Sequence, residues 1–297
     1  MSEKAEPMSK PTTKLYAKRP HTSMQWRHTA AARRSQRVRK DDNFEDPTLI
    51  YGIHAVAAVL NNPRRTIDGI YLTQNAQNRL SDALAYSALT VMPVAPKDLD
   101  RRLGADTVHQ GALVECSALA EPSLAELIAI ARSSGTPIVV LDQITDPHNV
   151  GAILRSCAVF GAAGVVTTRR HSPPLAGTVA KSASGALELV PVALIPNLAR
   201  GLADLTNKGF RVIGLDGEGS AAIEHVLTTR QPTAIVLGAE GRGLRQSTRD
   251  ACTSIARIHA EGNVASLNVS NAAAVTLHTH ALLRRGSIVT AHDKDHE

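Results

Sequence analysis

Apolar positions along the chain switch between two periods. Leu49-Ile50-Tyr51 ahead of Gly52 reads as a short strand and turn, and Ile53, Val56, Ala57 and Leu60 then recur at helix spacing. Residues 67–73 read as a strand with Asp68-Gly69 inside it. Leu80, Ala83, Leu84 and Ala88 predict a helix over 80–89. A strand at 91–94, a short helix at 97–103 and a strand at 111–116 complete a small α/β unit, 47–118. A helical stretch at 123–130, preceded by Pro122 and closed by Gly135, predicts a connector within 119–136. From Pro137 the pattern changes. Continuous apolar runs at 138–141, 165–166, 212–215 and 235–237 fit parallel strands buried on both faces. Between them Val150, Ile153, Leu154, Cys157 and Ala158 keep helix spacing. Strand alternating with helix predicts an open parallel α/β sheet across 137–288.

Composition narrows the class. Of 297 residues, 43% are hydrophobic and 20% charged, enough apolar material for packed cores. No apolar run reaches the ~20 residues of a membrane-spanning helix. Cys116, Cys157 and Cys252 lie far apart, and none sits at metal-ligand spacing. The expectation is a reduced, cytoplasmic protein without a metal, in which Cys157 and Cys252 serve packing. Aromatic residues make up 3%, too few for an extended base-stacking platform.

Charge is concentrated. Residues 1–40 carry eleven Lys or Arg and two acids, so this tail is +9 while residues 41–297 are −3. The tail fits a flexible arm for nucleic-acid phosphates, a solvated tail or a transit peptide. Glu3 and Glu6 weigh against the last, and no apolar segment marks a secretory signal. The tail is set at 1–46, and a second short tail at 289–297.

In parallel α/β sheets ligands gather beyond the carboxyl ends of strands. Three loops there carry chemistry. The first runs from Asp142 through Asp146, Asn149 and Gly151 to Arg155. Asp and Asn are helix caps, Gly151 permits close backbone approach, and an Arg in an apolar helix is costly to bury without an anion. The second, Gly238-Ala239-Glu240-Gly241-Arg242-Gly243-Leu244, sets three glycines around one acid. The third, Ser266-Leu267-Asn268-Val269-Ser270, opens a helix rich in Ala272, Ala273 and Ala274. Each alone fits an ordinary cap or turn. A competing motif, Gly217 to Ala222, matches the G-x-G-x-x-A dinucleotide fingerprint, with Glu240 as its ribose acid. It would make the protein an NAD-dependent oxidoreductase, and it leaves the first and third loops unexplained.

In order and spacing the three loops resemble the signature motifs of the SpoU, or TrmH-type, RNA ribose 2′-O-methyltransferases. The motifs are Asp142-x3-Asp146-Pro-x-Asn149-x-Gly151-x3-Arg155, Leu237-Gly238-Ala-Glu240-Gly241-x-Gly243-Leu244, and Ser266-Leu267-Asn268-Val269-Ser270. Tyr51-Gly52-Ile-His54-Ala55-Val56, His109-Gln110-Gly111 and Lys181-x3-Gly185-Ala186-x-Glu188-x2-Pro191 are similar to the branch that methylates a guanosine ribose in 23S rRNA. The resemblance implies a trefoil-knotted parallel-sheet methyltransferase domain behind a smaller α/β RNA-binding domain, a homodimer, and S-adenosylmethionine as methyl donor without a metal. It implies that Leu215, Gly217, Leu237, Gly238, Ile258 and Leu267 hold the donor. Asn149, Arg155, Glu240, Ser266 and Asn268 would face the reacting ribose. Arg155 would be either the base or a group that orients phosphate and stabilises developing charge. His259 stands where the family usually has proline, which predicts a more flexible loop. Two further readings are the same chemistry on tRNA and a catalytically silent RNA-binding protein.

Overall fold

The computed structural model describes residues 48–85, 89–262 and 267–286. The tails 1–46 and 289–297 and the site residue Ser266 lie outside the described residues.

The first sheet contains β1 (Leu49–Tyr51), β2 (Ile67–Leu72), β3 (Val91–Pro93) and β4 (Ala112–Cys116), in the order β1-β4-β2-β3. β4 runs antiparallel to β1 and β2, and β3 runs parallel to β2. The register of β2 slips between Ile67 and Gly69, where the sequence carries Asp68-Gly69. Helix α1 (Ile53–Leu60) follows Gly52, which takes a positive φ of 94°. The side chain of Gln110 accepts from the Ile53 N–H at 3.1 Å and so caps α1 from across the sheet.

Of the helix read over 80–89, the described part is α3 (Ser81–Ala85), and residues 86–88 lie outside the described residues. A separate short helix that the spacing did not announce, α2 (Gln74–Arg79), precedes it, with Leu80 between the two. Thr73 caps α2 by accepting from Ala76 N–H. Helix α4 (Pro96–Leu103) follows β3. Helix α5 (Leu124–Ser134) begins at a reciprocal cap between Ser123 and Glu126 and ends at left-handed Gly135.

The second sheet is parallel throughout and holds seven strands. In chain order the elements are β5 (Ile138–Asp142), α6 (Pro147–Phe160), β6 (Gly164–Thr168), α7 (Gly177–Ala183), a 3-10 turn (Ala186–Glu188), β7 (Val192–Ile195), α8 (Leu198–Asn207), β8 (Arg211–Leu215), β9 (Ala221–Ala222), α9 (Ile223–Val226), β10 (Thr233–Gly238), α10 (Gln246–Asp250), β11 (Ser254–Arg257) and α11 (Val269–Arg284). The order is β7-β6-β5-β10-β8-β11-β9, so successive strands depart in opposite directions from the β5/β10 pair. β7, β9 and β11 have no counterpart in the apolar runs. β7 is framed by Pro191 and Pro196, β9 has two residues, and β11 carries Ser254 and Arg257.

Alternate residues of the central strands enter separate cores, although the strands read as unbroken apolar runs. Val139, Leu141, Ile235 and Leu237 pack with α6, α7 and α11, in a cluster that continues into the first sheet through Ile50, Val56, Leu72 and Val114. Ile138, Val140, Ala234 and Val236 face the opposite side with Leu127, Leu198, Leu202 and Phe210.

Candidate active site

The loops after β5, β10 and β11 meet beyond the carboxyl ends of their strands, because the sheet order places those ends close together. Asp142, at the end of β5, has a side chain with no exposed surface. It accepts from the Arg245 N–H at 3.0 Å and from Arg245 Nε at 2.7 Å, tying the far end of the second loop to the first. Asp146 caps α6 by accepting from the His148 N–H at 2.9 Å. Gly151 allows close approach, but of protein to protein: a Cβ there would stand 2.1 Å from Ser182 Oγ and 2.8 Å from the Ala183 nitrogen. α7 therefore lies directly on α6.

The second loop folds back on itself. Ala239 and Gly243 exchange backbone hydrogen bonds at 3.1 and 2.8 Å. Gly241 and Gly243 both take positive φ, at 74° and 63°. A Cβ on Gly238 would fall 2.3 Å from the Gly243 carbonyl carbon. This tight return leaves a cavity of about 540 Å³, within the range of small-molecule sites. Leu215, Gly217, Leu237, Gly238, Ile258 and Leu267 all line it. His259 lines it too, next to Ile258. Arg249 neutralises Asp216 at its edge.

Three of the polar positions named for the ribose form one cluster beside this cavity. Asn149 Nδ2 donates to Glu240 Oε1 at 2.9 Å, and Asn268 Nδ2 donates to Asn149 Oδ1 at 3.1 Å. Asn268 Nδ2 also donates to Glu240 Oε1. Asn268 serves in addition as the cap of α11, accepting from the Ser270 N–H at 2.8 Å. Asn149 is buried and Glu240 exposed, and Glu240 forms no ion pair among the described residues.

Arg155 does not join this cluster. Six residues on from Asn149, at 3.6 residues per turn, it stands about 120° round α6. It is exposed and opens instead on a second cavity, of about 550 Å³, between α1, α6 and the turn after α7. Sequence reasoning missed Arg245, Arg249 and Asp216, whose pairing across loops has no local signature. The acid Asp142, at the end of an apolar strand, was the one available hint.

The cysteines are not part of the site. Burial pushes the Cys157 and Cys252 thiols up to about 12 and Cys116 to about 11, far from nucleophilic thiolates at neutral pH. The dinucleotide fingerprint also fails. After Gly217 the chain makes a turn and the two-residue β9, and the next helix, α9, has four residues. A dinucleotide site needs a glycine turn that runs straight into a helix whose N-terminus faces the phosphates. Here Gly219 instead sits against β11, where a Cβ would meet the Ala256 carbonyl carbon at 2.5 Å.

Two family models match the chain. The SpoU rRNA Methylase family covers residues 136–278, and the RNA 2′-O ribose methyltransferase substrate-binding family covers residues 49–122. The 23S rRNA (guanosine-2′-O-)-methyltransferase RlmB of Pseudomonas aeruginosa is 38% identical over 235 residues, 77% of this chain and 93% of that protein. The chain belongs to the SpoU rRNA methylase family. The protein of the same name from Ralstonia nicotianae is 38% identical over 248 residues, covering 82% of this chain and 98% of that protein. Among solved structures, the SpoU methyltransferase AviRb from Streptomyces viridochromogenes, in complex with AdoMet, aligns with a TM-score of 0.67. It has 21% identity, over 80% of this chain and 90% of that one. The likeness carries the fold: the SpoU architecture of a parallel sheet preceded by a smaller α/β region.

Proposed function

We propose that this SpoU methylase transfers the methyl group of S-adenosylmethionine to the ribose 2′-hydroxyl of a guanosine in 23S rRNA. The observation that carries the reading is a single cavity lined by all six donor positions, with the Asn149–Glu240–Asn268 cluster beside it. The substrate follows the two RlmB relatives, and a bacterial rRNA substrate fits a cytoplasmic protein.

The cavity suits the donor. The hairpin-like return at Gly238 and Gly243 presents main-chain groups where a side chain would block them, and Leu215, Leu237 and Leu267 supply apolar walls. When bound, S-adenosylmethionine supplies a methyl group on a positively charged sulfur that leaves as a neutral thioether. The chain must align the ribose oxygen with that carbon and take up the hydroxyl proton. Asn149 and Asn268 fix the Glu240 carboxylate through Oε1, leaving Oε2 toward solvent or substrate. Amides are not bases in water, and a guanidinium holds its proton too firmly to act as one. Glu240 is thus the acceptor within the cluster, and Arg155, which opens on the second cavity, orients an RNA phosphate. Ser266 belongs to the same proposal.

The homodimer is likewise a proposal. Helices α6 and α11 pack side by side, with the Phe160 and His278 rings 5.5 Å apart, and present Val159 at 74% and Val275 at 40% exposure. A second copy seated on this face would cover both valines. Arg155, one turn before Val159, would then meet the partner copy. We read 47–118 as the RNA-binding part, 119–136 as the linker, 137–288 as the transfer part with its trefoil knot, and the basic tail as a phosphate-binding arm.

The test combines two measurements. Calorimetry with S-adenosylmethionine and, in parallel, NAD should show one donor bound per chain and no NAD. Labelled methyl should then appear on a guanosine 2′-oxygen of unmodified 23S rRNA and not on tRNA transcripts. NAD binding alone, or methylation of tRNA alone, would reject the reading.

A further inference from the structure

Away from the donor cavity, Arg65 and Glu188 form a charged pair inside the protein, with side chains 1% and 4% exposed. Arg65 grips the carboxylate with a fork: Nε donates to Oε2 at 3.0 Å and Nη2 to Oε1 at 2.7 Å. Asn62 Nδ2 donates to Oε2 at 2.6 Å, and the remaining Arg65 nitrogen, Nη1, donates to the Ser117 carbonyl. Arg64 Nη2 donates to the Glu188 carbonyl at 2.6 Å. Every nitrogen and oxygen of the pair's charged ends is therefore engaged.

The pair crosses between the two sheets' territories. Asn62, Arg64 and Arg65 follow α1, and Ser117 follows β4, in the region matched by the substrate-binding model. Glu188 closes the 3-10 turn before β7, in the region matched by the methylase model. Nearby contacts make the same crossing. The Tyr51 and Thr178 hydroxyls lie 2.9 Å apart, and a Cβ on Gly185 would come within 2.9 Å of Ala58 Cβ. Buried ion pairs add little net stability compared with apolar packing, but their directional bonds tolerate few arrangements. What this pair fixes is a position. Glu188 also lines the 550 Å³ cavity, which Ala58, Asn61 and Arg64 line from one side and Arg155, Val159 and Leu189 from the other.

We propose that Arg65 and Glu188 are positioning residues for methyl transfer. They clamp the substrate-binding region onto the methylase sheet and so fix where an RNA held by the first meets Arg155 on the second. The proposal rests on the methyl-transfer reading above. Neither residue touches the donor cavity, so the pair acts on RNA delivery alone.

The experiment uses the full chain in four forms: wild type, Glu188→Gln, Arg65→Lys and the double variant Arg65→Met/Glu188→Leu. Gln removes the charge with little change of shape, and Lys keeps the charge but loses the fork. The double variant replaces the pair with apolar side chains, a change that buried pairs commonly tolerate. Hydrogen exchange is followed on peptides from α1 and α7, with β5 and β10 as internal references. Glu188→Gln should speed exchange in α1 and α7 and leave β5 and β10 unchanged. S-adenosylmethionine affinity should be unchanged. With unmodified 23S rRNA, RNA affinity should hold while the single-turnover rate falls on the order of 10²-fold, and the double variant should recover most of it.

Unchanged exchange in α1 and α7 would overturn the proposal, as would faster exchange with an unchanged rate. Equal loss of donor binding and rate in the variants would also overturn it, since that marks general unfolding. If Glu188→Gln does not fold, Arg65→Lys carries the same comparison with a smaller change. A wild type that methylates no RNA would reject the functional reading, while the exchange data would still decide whether the pair holds the two regions together.

Discussion

Glu188 and Glu240 are both carboxylates gripped by asparagine amides, yet their surroundings give them opposite characters. Glu188 is buried, paired with a guanidinium and bonded on both oxygens. Glu240 is exposed, has no ion pair among the described residues, and receives both of its amides on one oxygen. The first arrangement leaves nothing for a ligand to bind and fixes the chain's own geometry. The second leaves a charged oxygen available and fixes only its direction. A carboxylate's role is thus set by how much of its bonding capacity the fold has already consumed.

The sharpest way to break this contrast is to remove each acid. Glu188→Ala strands the Arg65 guanidinium and should lower the unfolding free energy by about 3–5 kcal/mol. Glu240→Ala should cost less, about 1–3 kcal/mol, because it takes the acceptor from the buried Asn149 amide but strands no charge. Urea unfolding of both variants checks this, and equal losses would end the distinction.

Arg155 stands on the side of the comparison proposed to meet RNA. Arg155→Ala should reduce single-turnover methyl transfer by about 10²–10³-fold with S-adenosylmethionine binding intact. A variant with normal turnover would remove Arg155 from the site.

His280 tests burial without a counter-charge. Burial, with a smaller contribution from nearby Arg284, pulls its pKa down to about 4. The unfolded chain, with an ordinary pKa near 6.5, takes up the proton first as pH falls. The stabilisation is therefore complete above about 6.5 and lost as pH drops toward 4, on the order of 3 kcal/mol. Denaturant midpoints between pH 7 and 4.5 should fall less steeply in His280→Gln than in wild type.

The smallest effect concerns the cavity wall. Gly238→Ala drives a methyl group into Gly243 and should cost about 1–3 kcal/mol. It should also abolish calorimetric donor binding, because the loop must open where the donor would lie. Retained binding would move the donor elsewhere.

Sequence patterns captured what is locally encoded. β5, β8 and β10 were legible because strands buried on both faces need unbroken apolar runs. β7 was hidden by its flanking prolines and β11 by Ser254 and Arg257. The glycines around Glu240 suggested a backbone wrapped about a ligand, and the structure shows a loop that folds back on itself at the rim of a cavity. The direction of Arg155 was not legible, since the rotation of α6 is set by packing against α7 and α11. Nor was the pairing of Arg65 with Glu188, 123 residues away, which leaves no trace in local spacing.

The hydrogen bond between Asn149 and Asn268 joins residues 119 positions apart. On a ribosome adding about 5–20 residues per second, the second asparagine follows the first by roughly 6–24 s. The nascent chain can therefore build β5, α6 and most of the parallel sheet before the polar cluster can close. An enzyme proposed to modify ribosomal RNA is thus itself made by ribosomes in an order that completes its chemistry near the end.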